Sequence, residues 1–336
     1  MRAVGYLAPL PIDAPQSLVD LDVPEPEPTG RDLLVEIKAV SVNPVDVKVR
    51  ANARPPEGQP RILGYDAAGV VLATGPDVTL FRPGDEVFYA GAIGRPGTNA
   101  ERHLVDERIV GPKPKTIGFA AAAALPLTAI TAWEGLFDRL DIRRPVPGAA
   151  KAVLIVGGAG GVGSIAVQLA RQLTDLTVIA TASRPETAEW ALGLGAHHVI
   201  DHSRPMAPQV EALGIGQPGV VFSTTHTRHH LDDIVALITP QGRLGLIDDD
   251  DFDVMKLKSK SLSLHWEAMF ARSSYRTADM IEQHRLLSEV SRLVDAGTLR
   301  STLTQTLRGI DARTLRQAHK QIETGRTRGK VVLEAV

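Results

Sequence analysis

The stretch VLIVGGAGGVGSIAVQLARQL, residues 153–173, joins an apolar run to an alternating Ala/Gln/Leu segment through five glycines. The residues before the glycines read as a buried strand, and SIAVQLARQL carries apolar residues at helical spacing. Between them lies Gly158-Ala159-Gly160-Gly161-Val162-Gly163, a G-x-G-x-x-G pattern. Glycines in these places let the chain turn tightly, let backbone approach a pyrophosphate and let the helix pack close on the strand. The first N–H groups of the helix and its positive end then suit phosphates. Taken alone, the same pattern describes any tight strand-to-helix turn, so the rest of the chain has to decide.

The chain has 336 residues, 43% of them hydrophobic, enough for a large core and for two domains. A formal net charge of -2 with no basic block gives no reason to expect nucleic acid or an anionic membrane surface. There is no Cys, which excludes disulfides, thiolate metal sites and Cys nucleophiles and fits a reducing cytoplasm. The start, MRAVGYLAPLPIDAP, has no apolar core of signal-peptide length before its prolines. The longest apolar run, residues 119–133, is shorter than the roughly 20 residues that span a bilayer and contains Pro126. These features predict a cytoplasmic protein that works without a membrane.

Roughly the first third is β-like: DLLVEIKAVSV, AAGVVLATG and GDEVFYAG alternate or are β-branched, and PEPEPTG and FRPGDE punctuate them. A helix is expected there only around residues 45–50. From Ala120 strands and helices alternate, which predicts βαβ units, a parallel sheet and right-handed crossovers. After Phe270 one long helix is expected over TADMIEQHRLLSEVSRLVDAG, then short strands ending in GKVVLEAV.

The glycine pattern therefore sits on the first strand of a Rossmann unit. In an NAD enzyme an acid about twenty residues on, at the end of the second strand, holds the ribose hydroxyls. Here that place reads ATASRPE, with Ser183 and Arg184, while Glu186 lies beyond a proline. A hydroxyl and a guanidinium suit a 2′-phosphate, so NADPH is the expected cofactor, against the plainer reading of Arg184 as a turn residue.

The combination of SVNPVDVKVR, LGYDAAGVV, FRPGDEVFYAG, NAERHLVDERIVGPKP, AAAALPLTAITAWEGL, the glycine turn and the closing GKVVLE resembles the medium-chain dehydrogenase/reductases that lack zinc. It is similar to the quinone oxidoreductases and, more narrowly, to the bacterial "zinc-type alcohol dehydrogenase-like" group. The resemblance runs over essentially the whole chain. It implies an α/β protein with a GroES-like, β-rich catalytic domain, residues 1–126 and 269–336, and a doubly wound Rossmann domain for NADPH, residues 127–268, with the active site in the cleft between them. Relatives of this kind are commonly homodimers through the edge of the Rossmann sheet.

Catalytic zinc in such alcohol dehydrogenases takes Cys and His ligands with a nearby Glu. Where the zinc enzymes carry Gly-His-Glu this chain has Gly64-Tyr65-Asp66, and the four-Cys lobe is replaced by GRPGTNAERH, so no metal is expected. A rival grouping is His226, His229 and His230, with Asp248 to Asp251 nearby, which would suit an oxygen/nitrogen metal site. The favoured reading puts His226 beside the cofactor and leaves His229, His230 and the Asp run on the surface. His202 matches the place where relatives stack a ring on adenine; His197 and His198 read as solvent-facing turn residues.

Without zinc no Lewis acid polarises a carbonyl. The remaining chemistry is hydride delivery from NADPH to a small electrophilic acceptor, a quinone, an enone or a reactive carbonyl. A zinc-independent alcohol or aldehyde oxidoreductase and a non-catalytic NADPH-binding protein are the alternatives. By resemblance Asn43, Asp46 and Thr131 lie at the nicotinamide and its ribose, with Asn43-Pro44 equally readable as a turn. Tyr65 and Lys48 are candidate proton donors, beside bulk water. Trp266, Met269, Phe270 and Tyr275 are the expected substrate wall, or simply core. Lys330 either reaches the cofactor phosphates or begins a strand.

Overall fold

The computed structural model describes all 336 residues, Met1–Val336. Two compact units emerge: Met1–Ile130 with Phe270–Val336, and Thr131–Met269.

The second unit is built on a six-stranded sheet whose pairings are all parallel. Across the sheet the strands run His198–Ile200, Thr177–Thr181, Ala150–Val156, Pro218–Ser223, Arg243–Leu246 and Ser263–Trp266. Numbered along the chain this is the order 3-2-1-4-5-6, the doubly wound arrangement that the alternating pattern predicts. Both faces are covered, so the central strands are apolar throughout rather than alternating. Leu154, Val156, Ile179, Val221 and Leu244 pack with Leu231, Ile234 and Leu237 of the helix Thr227–Leu237. Each such side chain contributes on the order of 1.5–3 kcal/mol by leaving water.

The first unit carries a seven-stranded sheet in which Asp32–Val42 is central, pairing antiparallel with Ala67–Thr74, Arg102–Asp106 and Lys330–Glu334. The last of these is the closing GKVVLE segment. It sets Val331 opposite Val42, so the end of the chain lies beside the turn that precedes the helix Pro44–Asn52. A second sheet joins Val19–Asp22, Arg2–Tyr6 and Arg61–Ile62.

The structure departs from the sequence reading in three places. The long helix of the tail is Glu282–Asp295, with TADMI outside it. Between the closing strands lies a helix that pattern reading missed, Ala312–Glu323, capped by Asp311, whose Oδ1 accepts from the Thr314 N–H at 2.7 Å. It buries Ala312, Thr314, Leu315, Ala318 and His319, and Ala312, Leu315, Ala318 and Ile322 recur at helical spacing, a period that the pattern reading passed over. Finally, Pro126 does not interrupt the apolar run: it opens the helix Pro126–Trp133, where a missing N–H costs nothing. With Phe119–Ala123 before it and a π-helical turn Glu134–Arg139 after it, the helical stretch Phe119–Arg139 reaches 21 residues. An 18-residue window of it is 78% buried inside the protein, as a core helix is.

Candidate active site

The glycine turn closes between the strand Ala150–Val156 and the helix Gly161–Leu173, which Gly160 caps. Four of its five glycines have distinct reasons. A Cβ on Gly163 would lie 2.1 Å from the Gly157 carbonyl oxygen, and one on Gly158 would lie 2.7 Å from the Ala180 Cβ. These two allow helix and strands to close. Gly157, which the G-x-G-x-x-G spacing leaves out, has a φ of +80 and a Cβ there would meet Thr224 Oγ1 at 2.6 Å. Gly160 differs, since its Cβ would find only the Gly157 oxygen at 3.5 Å, an ordinary contact. Its bareness serves nothing inside the protein and leaves room for a ligand's phosphates against backbone, the cradle a dinucleotide requires. Ala159 and Val162 complete the turn, Ala159 itself being buried.

Thr181, ending the second strand, ties this turn to the next loop. Its Oγ1 accepts from the Gly157 N–H at 3.0 Å and lies 2.9 Å from His202 Nδ1. Two residues on, Ser183 is exposed and Arg184 caps the helix Pro185–Gly193. Glu186 is not set aside by its proline. Its Oε1 lies 3.1 Å from Arg184 Nε, so the guanidinium expected to await a phosphate already holds a carboxylate.

The His202 ring packs edge-on against His230, centroids 5.7 Å apart, and His230 against His229 at 5.0 Å. His230 is buried, which corrects its placement on the surface, and burial lowers its pKa to about 4. His226 is exposed in the left-handed region, φ 51, with Nδ1 2.6 Å from Thr225 Oγ1. The aspartate run is not idle surface either. Asp248 Oδ2 accepts from the Thr227 N–H at 2.8 Å and Asp250 Oδ2 from the Arg228 N–H at 3.1 Å, which caps the helix Thr227–Leu237. These carboxylates serve a helix end, and no three His, Asp or Glu side chains gather into a metal cage.

In the first unit the expected nicotinamide residues are knotted into one buried network. Asp46 Oδ2 accepts from the Asn43 N–H at 2.8 Å and Oδ1 from the Gly64 N–H at 3.0 Å. Asn43 Nδ2 donates to Asp66 Oδ2 at 2.8 Å. Lys330 Nζ donates to Asp66 Oδ2 at 3.1 Å, to the Val42 carbonyl at 3.2 Å and to Asn43 Oδ1. Asp66 Oδ1 takes the Leu127 N–H at 2.7 Å, at the start of the helix that carries Thr131 one turn on. Burial drives the Asp46 pKa up to about 7 and raises that of Asp66 against the pull of Lys330. Lys330 is thus spent inside this network; the expectation that it reaches the cofactor phosphates is corrected. Asp66, passed over in the sequence as a lost zinc-site acid, is the hub.

Tyr65 is 1% exposed, with burial raising its phenol pKa, and Phe270 meets it edge-on at 5.3 Å. Thr131 is buried and Lys48 exposed. The supposed substrate wall has disparate settings. Trp266 stacks on Phe252 at 6.4 Å, Met269 is buried, and Tyr275 is 82% exposed at the end of the helix Ala271–Tyr275.

Zinc does not fit the residues present. Asp66 Oδ2 is engaged by an ammonium and an amide, Tyr65 stands in the ligand position, and the chain has no Cys.

Comparison with known proteins agrees with the two-unit fold, although several of the matching descriptions name zinc. Residues 29–125 match the family model described as alcohol dehydrogenase GroES-like domain, and residues 194–333 the model described as zinc-binding dehydrogenase. A zinc-type alcohol dehydrogenase-like protein of Staphylococcus aureus is 41% identical over 336 residues, covering 99% of each chain. Among solved structures, a putative zinc-dependent alcohol dehydrogenase protein from Rhizobium etli is 66% identical with TM-score 0.99, covering 100% of this chain and 98% of that one. The quinone oxidoreductase from Coxiella burnetii is 26% identical with TM-score 0.80, and mycobacterial Rv1454c, complexed with NADPH, is 26% identical with TM-score 0.82; each covers 99% of both chains. With a GroES-like unit, a Rossmann sheet of this strand order and relatives along its full length, the chain belongs to the medium-chain dehydrogenase/reductases, as an oxidoreductase of their zinc-type alcohol dehydrogenase-like branch.

Proposed function

We propose that this protein is an NADPH-dependent oxidoreductase that reduces a quinone, an enone or a reactive carbonyl without catalytic zinc. The observation that carries the reading is the buried ion pair of Asp66 with Lys330 beside Tyr65, at the place where the zinc enzymes that the chain resembles carry Gly-His-Glu. When bound, the reduced nicotinamide supplies a hydride, and one proton completes the two-electron reduction of the acceptor. With no Lewis acid, the acceptor must itself be electrophilic.

The residues of the chain have distinct tasks in this reading. The turn Gly158–Gly163 holds the pyrophosphate through backbone N–H groups, and Ser183 and Arg184 take the 2′-phosphate, with Arg184 releasing Glu186 to do so. His202 and His226 border the cofactor. Thr131 acts at the nicotinamide end, while Asn43 and Asp46 act through the network around Asp66. The Tyr65 phenol, kept protonated by burial, is a donor for the acceptor oxygen, with Lys48 and water as the other sources. The strand Ser263–Trp266 ends the sheet with one edge unpaired and Trp266 54% exposed, which supports a homodimer across that edge.

A panel of acceptors followed by NADPH absorbance tests the reading. Quinones and enones should consume NADPH faster than plain aldehydes. Consumption by aldehydes alone would favour the alcohol/aldehyde alternative, and none with any acceptor would favour a binding protein.

A further inference from the structure

The Rossmann unit has a cavity of ≈ 700 Å³ at the end of the sheet opposite the glycine turn. Ala150 and Val220, in its floor, stand at or near the starts of their strands, whereas the turn follows Val156 at the other end. Such a volume is in the range of small-molecule sites, which run to about 300–1,000 Å³. Ile142, Val146 and Leu176 make the walls apolar, and Arg143, Arg144 and Lys151 stand on the rim.

Those three cations are answered by only two carboxylates, Asp141 and Asp175, of which Asp175 also lines the groove. Lys151 pairs with Asp175 at 3.0 Å and Arg144 Nε lies 3.5 Å from Asp141. Arg143 has its guanidinium over the Phe137 ring at 4.6 Å. Behind the rim lies Arg243, 4% exposed and the register partner of Val220. Its Nη2 donates to the Arg144 carbonyl at 2.5 Å and the Asp141 carbonyl at 3.2 Å, while Nε is buried without a partner. A buried guanidinium whose hydrogen bonds go to carbonyls, with Asp141 the one carboxylate acting on it, is costly and leaves an attractive field for an anion. His265, two strands from Val220, reports the same field: burial first, then Arg243, Arg144 and Arg139, lower its pKa.

We propose that this groove binds a small amphipathic monocarboxylate, its apolar body on the Ala150 and Val220 floor and its carboxylate at the Arg143 and Arg144 guanidiniums. The apolar lining alone would take any hydrophobe. The cationic rim selects an acid, and a charge-assisted hydrogen bond adds roughly ten- to a hundredfold in affinity. The site is distinct from that of the dinucleotide, being at the far end of the strands.

Octanoate is the probe, with octan-1-ol lacking the charge and acetate lacking the chain. Binding to the full-length protein is read by calorimetry and by the His265 ring signals in a pH titration. Octanoate should bind saturably and raise the His265 pKa, and both effects should persist in excess NADPH. Octanol and acetate should bind at least about tenfold more weakly. Arg144→Glu and Lys151→Glu change exposed side chains and should reduce octanoate affinity at least about tenfold with melting temperature and NADPH oxidation unchanged. Equal binding of octanol, displacement by NADPH, full affinity in both charge-reversal variants or no saturable binding would each overturn the proposal.

Discussion

Arg184 Nε lies 3.1 Å from Glu186 Oε1, so the guanidinium at the end of the second Rossmann strand carries its own carboxylate. The pair is partly exposed and weak, but in the proposed reading it would compete with a 2′-phosphate for the same donor. Glu186→Gln should therefore sharpen the preference for NADPH over NADH by a few-fold. Arg184→Ala should weaken NADPH roughly ten- to a hundredfold and spare NADH. Dissociation constants by fluorescence titration check both; equal weakening of the two cofactors would reject the assignment.

The glycines of the turn should separate by role. Gly163→Ala drives a methyl against the Gly157 carbonyl at 2.1 Å, so it should lower the melting temperature and abolish cofactor binding together. Gly160→Ala has φ -71 and meets only an ordinary contact with the Gly157 oxygen at 3.5 Å, so the fold should stand while NADPH affinity falls. Thermal unfolding beside binding distinguishes them, and an unimpaired Gly160→Ala would remove the pyrophosphate from that spot.

Asp66 and Lys330 form an ion pair with side chains 0% and 3% exposed. Removing one partner strands a buried charge, so Lys330→Met should cost about 3–5 kcal/mol. Lys330→Met with Asp66→Asn should cost less than the sum of the single changes. Calorimetric unfolding of the four proteins gives the coupling, and simple additivity would show the pair to be independent.

Glu267 and Glu134 are buried side by side with one guanidinium between them, Arg139 Nε being 3.0 Å from Glu267 and Nη2 3.8 Å from Glu134. Burial, then the Glu134 charge, raises the Glu267 pKa from 4.5 to about 8. The folded state holds that proton more tightly, so the contribution is full below 4.5 and is lost as pH rises through about 8. His319 has the opposite sign. Burial, then Arg50, lowers its pKa from 6.5 to about 3, so its contribution is full above 6.5 and is lost as pH falls toward 3. Glu267→Gln should flatten the alkaline side of the stability profile and His319→Leu the acid side. Melting temperature against pH measures each, and profiles parallel to wild type would refute the sign.

The donor set around Tyr65 and Asp66 predicts metal independence. Purified, tag-free protein should hold well below one zinc per chain, and a chelator should leave NADPH oxidation unchanged. Stoichiometric zinc lost together with activity would reopen the His226, His229 and His230 group.

The sequence by itself determined what is local in its physics. Gly158, Gly163 and the apolar run before them declare a strand-to-helix turn, because a Cβ there has nowhere to go within a few residues along the chain or on the neighbouring strand. The alternation of strands and helices likewise fixes the parallel sheet, since each element must bury one face and a parallel crossover requires a helix. The Asn43-Pro44 turn and Tyr65 in the metal position were legible as residue types. What only the tertiary structure decided is who partners whom across long separations. Lys330 meets Asp66 at a separation of 264 residues because the closing strand pairs with Asp32–Val42, and no spacing rule contains that pairing. His230 is buried with the ring of His202, from a separate loop, edge-on against it. Buried charges take whatever counter-charge the fold brings within reach. Their roles are therefore set by topology, while the glycines' are set by the absence of an atom.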